Sequence, residues 1–213
     1  MIADILPATV RSVVSYGDPA HPALFPEEDA VVAAAVERRR REFATTRACA
    51  REALAGLDVP PGPIMPGERG APQWPGGIVG SMTHCAGYRA AAVARDTDVV
   101  TLGIDAEVDA PLPDGVLEVI AVPQEVWWLS DLPRDGGAHW DRLLFSAKES
   151  IYKAWYPVAR RPLGFDEALV LLAPDGTFHA RLLVDPSPFA GPDLRGRWSS
   201  RAGLVATTVV VAR

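Results

Sequence analysis

An order of secondary structure that occurs twice along the chain constrains the fold most strongly. Helical patterns followed by strand-like segments, in both halves, favour an α+β protein. We predict two similar subdomains at 1–108 and 109–213, related by a pseudo-twofold axis and each built of antiparallel strands packed on helices. The predicted helices are 27–55, 116–130 and 139–156, and the predicted strands are 10–16, 88–94, 99–107, 168–172, 178–184 and 204–212.

Local signals set the ends of these segments. Pro26 with three acidic residues after it is a typical helix start, and we expect one break before that pattern ends at Gly56. The helix at 139–156 carries the candidate catalytic residues and is expected to stop at Pro157. Asp96-Thr97-Asp98 separates two strand-like segments, 88–94 and 99–107, which we interpret as a hairpin.

Length and charge exclude several classes of protein. The chain has 213 residues, of which 48% are hydrophobic, so it can bury a core without disulfides. A net charge of −6 argues against nucleic-acid binding. We expect no signal peptide and no membrane span. Cys49 and Cys85 fit no disulfide or metal pattern, which favours free thiols in the cytoplasm.

Two acids mark the end of a predicted strand. Asp105 and Glu107 are two residues apart, so their side chains project from the same face. Neighbouring carboxylates repel each other unless a cation lies between them, and a hard divalent ion prefers such oxygen ligands. A solvated strand end is the alternative for this pair taken alone.

The second half contains the chain's two lysines, Lys148 and Lys153, within one helical pattern. Leu144, Ala147, Ile151 and Trp155 predict an apolar stripe on this helix, and another face carries Arg142, Ser146, Glu149 and Lys153. Glu149 and Lys153 are four residues apart and can act at one site. An ordinary surface ion pair is the alternative.

Two further segments have residues suited to phosphate. Gly80-Ser81-Met82-Thr83-His84 combines close backbone approach with small hydroxyls and a histidine, although a packed histidine is the commoner case. Arginines at spacings of seven and four project along one side of the first long helix, with Arg39 nearby. They are Arg40, Arg47 and Arg51, for which a solvated face is the alternative.

Three motifs in order resemble the signatures of one family. They are Gly80-Ser-Met-Thr-His84, Gly103-Ile-Asp105-Ala-Glu107 and Phe145-Ser-Ala-Lys148-Glu149-Ser-Ile-Tyr-Lys153. Together they resemble the motifs of the surfactin- and enterobactin-type 4′-phosphopantetheinyl transferases, and the resemblance extends over nearly the whole chain. It implies the two-subdomain fold described above.

The resemblance also implies roles for individual residues. Asp105, Glu107 and Glu149 are expected to hold Mg²⁺, which grips the diphosphate of the co-substrate coenzyme A. Glu149, directly or through a metal-bound water, is expected to be the catalytic base, and Lys153 the cation that stabilises the transferring phosphate. Contacts to the 3′-phosphate are expected from Arg39, Arg47 and Arg69. His84, helped by Thr83, is expected to bond a phosphate oxygen, and Lys148 is expected to support Lys153 as a contact to the diphosphate.

The implied reaction transfers the 4′-phosphopantetheine arm to a serine of an apo acyl or peptidyl carrier protein and releases 3′,5′-ADP. Fatty-acid, polyketide and nonribosomal-peptide carriers all stay open as partners. A chain with its own internal repeat has no need of a second copy, so we expect a cytoplasmic monomer. A Mg²⁺-dependent nucleotide hydrolase and a non-enzymatic acidic adaptor are the alternatives, and the adaptor would leave the acids and lysines without a role.

Overall fold

A computed structural model describes residues 1–19, 22–133 and 137–213. These residues form an α+β fold of helices and antiparallel sheets. The helices are α1 (Pro26–Val32), α2 (Glu37–Ala55), α3 (Val116–Ile120), α4 (Pro123–Asp131) and α5 (Trp140–Ala159). The strands are β1 (Arg11–Tyr16), β2 (Ile78–Cys85), β3 (Tyr88–Arg95), β4 (Val99–Val108), β5 (Ala168–Leu172), β6 (Thr177–Leu182), β7 (Asp193–Arg201) and β8 (Leu204–Ala212).

The first helical segment has the predicted break. Helix α1 begins at Pro26, and the Glu28 carboxylate accepts a hydrogen bond from the Phe25 N–H at 3.0 Å, which caps the helix. After the break, α2 continues to Ala55 and packs its apolar face on the smaller sheet. The predicted helix at 27–55 is therefore confirmed as two helices.

The predicted hairpin between 88–94 and 99–107 is wrong. Strand β3 pairs with β2 and β1, giving the sheet order β1-β3-β2, and β4 pairs with β8 instead. The true hairpin joins β2 to β3 through Ala86-Gly87, where Gly87 has φ +73°. Asp96-Thr97-Asp98 therefore connects two sheets, and Gly80–His84 lies inside a strand.

The larger sheet has the order β4-β8-β7-β6-β5, and all its pairs are antiparallel. The strands predicted in the last third of the chain are present, but β7 was not predicted. Its buried positions alternate, yet one of them is Gly196, where a side chain would overlap the Phe178 ring. The hydrophobic pattern of β7 is therefore interrupted by a packing requirement.

Helix α5 passes through Pro157 and does not stop there as predicted. It ends at Ala159, and Arg160 adopts a left-handed conformation with φ 53°. Pro157 has no backbone N–H to donate within the helix. The last turn is held instead by tertiary contacts, since Trp155 is buried and its side chain donates to the Arg161 carbonyl at 2.8 Å. The predicted stripe of Leu144, Ala147, Ile151 and Trp155 is buried in the larger core.

The two sheets meet where β2 runs beside β4. No backbone ladder joins these strands among the described residues; instead, Ser81 and Thr83 hydroxyls accept hydrogen bonds from the Ile104 and Ala106 N–H groups, each at 3.1 Å. Strand β4 pairs in the larger sheet, although the predicted boundary at 108 places it in the first subdomain. That boundary and the pseudo-twofold relation stay predictions.

None of the helices in the described ranges is both long and apolar enough to cross a membrane.

Candidate active site

A cavity of about 630 Å³ lies along the line where the two sheets meet. Its walls come from the end of α1, from α2, the loop at 66–72, β2, the end of β4 and α5. Nine of the residues predicted for the site line it together: Arg39, Arg47, Arg69, Thr83, His84, Asp105, Glu107, Glu149 and Lys153. The fold therefore gathers segments that are more than one hundred residues apart in sequence.

Helix α5 reaches the acidic strand end because Gly103 has no side chain. A β-carbon at residue 103 would overlap the Ser150 carbonyl oxygen, so helix and strand are in direct backbone contact. This contact sets Glu149 and Lys153 of α5 beside Asp105 of β4.

Asp105 is the most extensively bonded acid of the cavity. Its Oδ1 accepts hydrogen bonds from the Lys153 Nζ at 2.7 Å and from the Thr83 hydroxyl at 3.2 Å. Its Oδ2 is buried and has no hydrogen-bond partner among the described residues. An unpartnered buried carboxylate oxygen is costly, which indicates that this oxygen serves a ligand.

The other two acids have raised pKa values. Burial, and then the charge of Asp105, raise the pKa of Glu107 to about 7, although Arg142 lies 3.5 Å from its carboxylate. Burial and Asp105 also raise the pKa of Glu149, against the lowering effect of Lys153. Crowded carboxylates of this kind gain from a shared cation.

The donor set fits a magnesium ion in chemistry, but the present arrangement does not form a metal centre. Within the part of the chain that the structure describes, no three acidic, histidine or cysteine side chains converge closely enough to hold an ion. Asp105, Glu107 and Glu149 nevertheless share one cavity and supply hard oxygen ligands. Binding would require Lys153 and the Glu107 and Glu149 carboxylates to adjust, so the ion stays a proposal.

Two arginines of α2 form a basic wall. Arg39 lies at the cavity with an exposed side chain, and Arg47 is buried there with its guanidinium stacked on the Phe43 ring at 3.2 Å. Burial lowers the pKa of Arg47 to about 10, which still leaves it charged at neutral pH. Arg69 joins them from the loop, where its φ is 54°.

The predicted face of Arg40, Arg47 and Arg51 is not a single phosphate surface. Arg40 bonds Asp29 of α1 at 2.9 Å, and Arg51 bonds both oxygens of the fully buried Glu28. Arg47 alone of these three lines the cavity among the described residues. Arg40 and Arg51 instead hold α1 against α2.

His84 is a neutral hydrogen-bond acceptor in this arrangement. The Arg39 guanidinium can only donate, so the contact of 2.9 Å makes His84 Nε2 the acceptor and leaves the ring proton on Nδ1. That nitrogen lies 3.7 Å from the Glu42 carboxylate. Burial, and then Arg39, lower the pKa of His84. A phosphate contact through His84 Nε2 therefore requires Arg39 to turn away.

Lys148 does not fit its predicted contact with the diphosphate. Its ammonium is buried and bonds Glu125 at 2.9 Å and the carbonyls of Phe165 and Ala168 at 2.6 and 2.9 Å. These three acceptors use all three N–H groups of the ammonium. Lys148 lies outside the described lining of the large cavity and beside a smaller one of about 200 Å³.

Sequence reasoning missed several residues of the site. The aromatic residues Phe145, Tyr152 and Tyr156 line the cavity from α5, and Trp74 lines it from the loop before β2. Phe145, Tyr152 and Tyr156 stand four before, three after and seven after Glu149, which is the spacing of one helical face. That spacing could have identified them. Glu125, fully buried under Lys148, carried no local signal.

Comparison with known proteins connects this cavity to one group of enzymes. Residues 27–94 match the sequence model of the family described as the 4′-phosphopantetheinyl transferase N-terminal domain. Residues 101–209 match that of the 4′-phosphopantetheinyl transferase superfamily. Both matched segments line the cavity, with α2 and β2 from the first segment and β4 and α5 from the second.

Individual relatives align over most of the chain. It is 55% identical to 4′-phosphopantetheinyl transferase Svp of Streptomyces mobaraensis, over 100% of this chain and 89% of that protein. It is 48% identical to 4′-phosphopantetheinyl transferase PptT of Mycobacterium tuberculosis, over 99% of this chain and 98% of that protein. Enterobactin synthase component D of Salmonella typhi is 29% identical, over 81% of this chain and 72% of that protein.

Proposed function

The chain belongs to the 4′-phosphopantetheinyl transferase superfamily, and on that premise we propose that it uses Mg²⁺ to move the arm of coenzyme A onto a serine of an apo carrier protein. The single observation that carries this proposal is one cavity lined by both an acid–lysine group and an arginine group. Coenzyme A has a diphosphate and a separate 3′-phosphate, which need two such groups.

The acid–lysine group suits the diphosphate. Asp105, Glu107 and Glu149 would hold Mg²⁺, which when bound supplies charge neutralisation and Lewis acidity at the diphosphate. Lys153 lies 2.7 Å from Asp105 and can shift its ammonium to the phosphate oxygens that gain charge during transfer. The unpartnered Oδ2 of Asp105 supports this placement.

The reaction needs a base for the carrier serine. The serine hydroxyl oxygen bonds to the β-phosphorus of coenzyme A, and the bond from that phosphorus to the bridging oxygen of 3′,5′-ADP breaks. We assign the serine proton to Glu149, because burial raises its pKa and a raised pKa strengthens a carboxylate as a base near neutral pH.

The arginine group suits the 3′-phosphate. Arg39 and Arg69 line the cavity, and the buried Arg47 adds a third guanidinium group to its wall. Guanidinium forks bind phosphate oxygens in pairs. His84 can join them when Arg39 turns from its ring to a phosphate.

We propose that the protein acts in the cytoplasm and as a monomer. Cys49 and Cys85 are both free in the structure, which agrees with a reducing compartment. The partner is a carrier protein of fatty-acid, polyketide or nonribosomal-peptide synthesis, and a mass measurement can identify which.

The test is intact-mass spectrometry of candidate apo carrier proteins after incubation with the enzyme, coenzyme A and Mg²⁺. We expect a mass gain of one phosphopantetheine arm on the carrier and a matching release of 3′,5′-ADP. The same mixture without carrier should release no nucleotide. Nucleotide release without carrier would instead indicate a hydrolase, and an unmodified carrier across the whole panel would contradict the proposal.

A further inference from the structure

Two hydroxyls on β2 replace a missing backbone ladder between the two sheets. Ser81 and Thr83 are two residues apart, so both side chains project from the same face of the strand. Each accepts a hydrogen bond of 3.1 Å from β4, Ser81 from the Ile104 N–H and Thr83 from the Ala106 N–H. Both residues are buried. In this respect they form a matched pair.

Thr83 differs from Ser81 in a second bond. Its hydroxyl also lies 3.2 Å from Asp105 Oδ1. The Ala106 N–H can only donate and an ionised carboxylate can only accept, so the Thr83 proton points to Asp105. That proton is then bonded to Asp105 and is not free to bond a ligand. The phosphate contact predicted for Thr83 would have to break this bond.

This bond determines which oxygen of the Asp105 carboxylate has no hydrogen-bond partner. Thr83 and Lys153 both bond Oδ1, and Lys153 also lies 3.3 Å from the Ile104 carbonyl. Oδ2 is left buried without a partner in the described part of the chain. A carboxylate held at one oxygen by two donors, one from β2 and one from α5, cannot rotate freely, so its second oxygen keeps one direction.

We propose that Thr83 is a positioning residue that orients the Asp105 carboxylate for a divalent cation. This inference rests on the proposed function for the cation site, and it gives Thr83 a role different from phosphate binding. Outer groups that bond a metal-binding carboxylate typically change metal affinity about 10- to 100-fold when removed. Ser81 makes the same contact to β4 and also lines the cavity, but no hydrogen bond joins it to Asp105 in the described residues. A Ser81 variant therefore reports the loss of the contact between the strands without the loss of the bond to Asp105.

The experiment compares four variants of the full chain: Thr83→Val, Thr83→Ala, Thr83→Ser and Ser81→Ala. The first readout is Mn²⁺ binding in the presence of coenzyme A, which is measured from the electron paramagnetic resonance signal of the Mn²⁺ that stays free. The second is the Mg²⁺ concentration for half-maximal transfer. Thermal melts without metal report stability for each variant.

We expect Thr83→Val to weaken Mn²⁺ binding about tenfold, in the range typical of lost outer-shell partners. Thr83→Ser keeps the hydroxyl and should stay within about twofold of the wild type. Ser81→Ala should lower the melting temperature about as much as Thr83→Val while leaving Mn²⁺ binding unchanged. If Thr83→Val does not fold, Thr83→Ala supplies the same comparison with a smaller side chain.

Equal Mn²⁺ binding in Thr83→Val and Ser81→Ala would show that Thr83 has a purely structural role and overturn the proposal. A raised KM for coenzyme A with unchanged Mn²⁺ binding would also overturn it, because it would show direct contact with the co-substrate. In both cases the wild type still modifies its carrier. Failure of the wild type to modify any carrier contradicts the proposed function instead, and the Mn²⁺ measurement distinguishes the two.

Discussion

Gly103 and Ser150 are in direct backbone contact, so that a β-carbon on Gly103 would overlap the Ser150 carbonyl oxygen. This contact brings α5 onto β4 next to Asp105, and it is the reason that Glu149 and Lys153 can share a cavity with Asp105 and Glu107. A single residue without a side chain therefore determines the geometry of the acidic group.

Gly103→Ala should push α5 away from β4 and weaken both folding and transfer. Inserting a carbon into a packed contact typically costs about 1–3 kcal/mol, and more where the neighbour is backbone. Gly62→Ala is the control, because a β-carbon there would meet no atom within 4 Å. Denaturant unfolding and transfer rates check both variants. Wild-type stability in Gly103→Ala would show that the helix can move at no cost.

Glu149→Gln should fold normally and bind coenzyme A but lose transfer by a factor of about 10²–10⁴, the usual contribution of a general base. The amide cannot accept the serine proton and is a weaker ligand for a cation. Glu118→Gln, at an exposed position on α3, is the control for loss of one charge. Single-turnover transfer measured by carrier mass checks this. Near-normal turnover in Glu149→Gln would remove Glu149 from the mechanism.

Glu107→Gln should stabilise the metal-free protein at pH 8 more than at pH 5. The folded pKa of Glu107 is raised from 4.5 to about 7, so the folded protein retains this proton where the unfolded chain has lost it. The stabilising effect is present below the unfolded pKa and is lost as pH rises through about 7. Gln does not titrate, so its advantage should grow with pH by at most ~3 kcal/mol.

The measurement for Glu107 is urea unfolding of both proteins in chelator at pH 5 and pH 8. A stability difference between variant and wild type that does not change with pH would show that Glu107 has an ordinary pKa. Adding Mg²⁺ and coenzyme A should reverse the order at pH 8, because binding stabilises the protein that holds the ion.

Arg39→Ala should raise the KM for coenzyme A roughly tenfold and change that for dephospho-coenzyme A much less, since a hydrogen bond to a charged group contributes about 1.5–3 kcal/mol. Arg38→Ala is the matched control, because Arg38 is the preceding arginine and lies outside the described lining of the cavity. Steady-state kinetics with both co-substrates checks the pair. Equal effects on both co-substrates would show that Arg39 does not contact the 3′-phosphate.

Lys148→Met should destabilise the fold by about 3–5 kcal/mol, because it leaves the buried Glu125 carboxylate without its cation. The double variant Lys148→Met with Glu125→Met should recover most of this loss, since an apolar pair replaces an ion pair. The KM for coenzyme A should stay near the wild-type value in the double variant. An increased KM with unchanged stability would restore Lys148 as a diphosphate contact.

The sequence predicted the chemistry of the site better than its packing. Asp105 and Glu107 were placed on one strand face by their spacing of two, and Glu149 and Lys153 on one helix face by their spacing of four. Both placements depend on local periodicity alone, and the structure brings these residues to the same cavity. Their metal, base and phosphate roles stay predictions.

Choosing between similar side chains required the tertiary structure. Lys148 and Lys153 are five residues apart on one helix, but the first meets a buried glutamate and the second meets Asp105. Arg47 and Arg51 are four residues apart and both lie near Glu28 of another helix, but Arg51 is the closer at 2.9 Å, whereas Arg47 lies 3.8 Å away and lines the cavity. The partner lies in each case on a different element, so no local pattern could indicate it.

The sequence by itself determined most of the helices and strands, the interrupted first helix and the face on which each acid lies, because local periodicity and chain-breaking residues control these features. The tertiary structure decided which strands pair, since β4 pairs with β8 and not with β3 as predicted. It also decided that α5 continues through Pro157. It also decided which cations face the cavity. These features depend on contacts between residues far apart in sequence, whose free energy appears only once the core has packed.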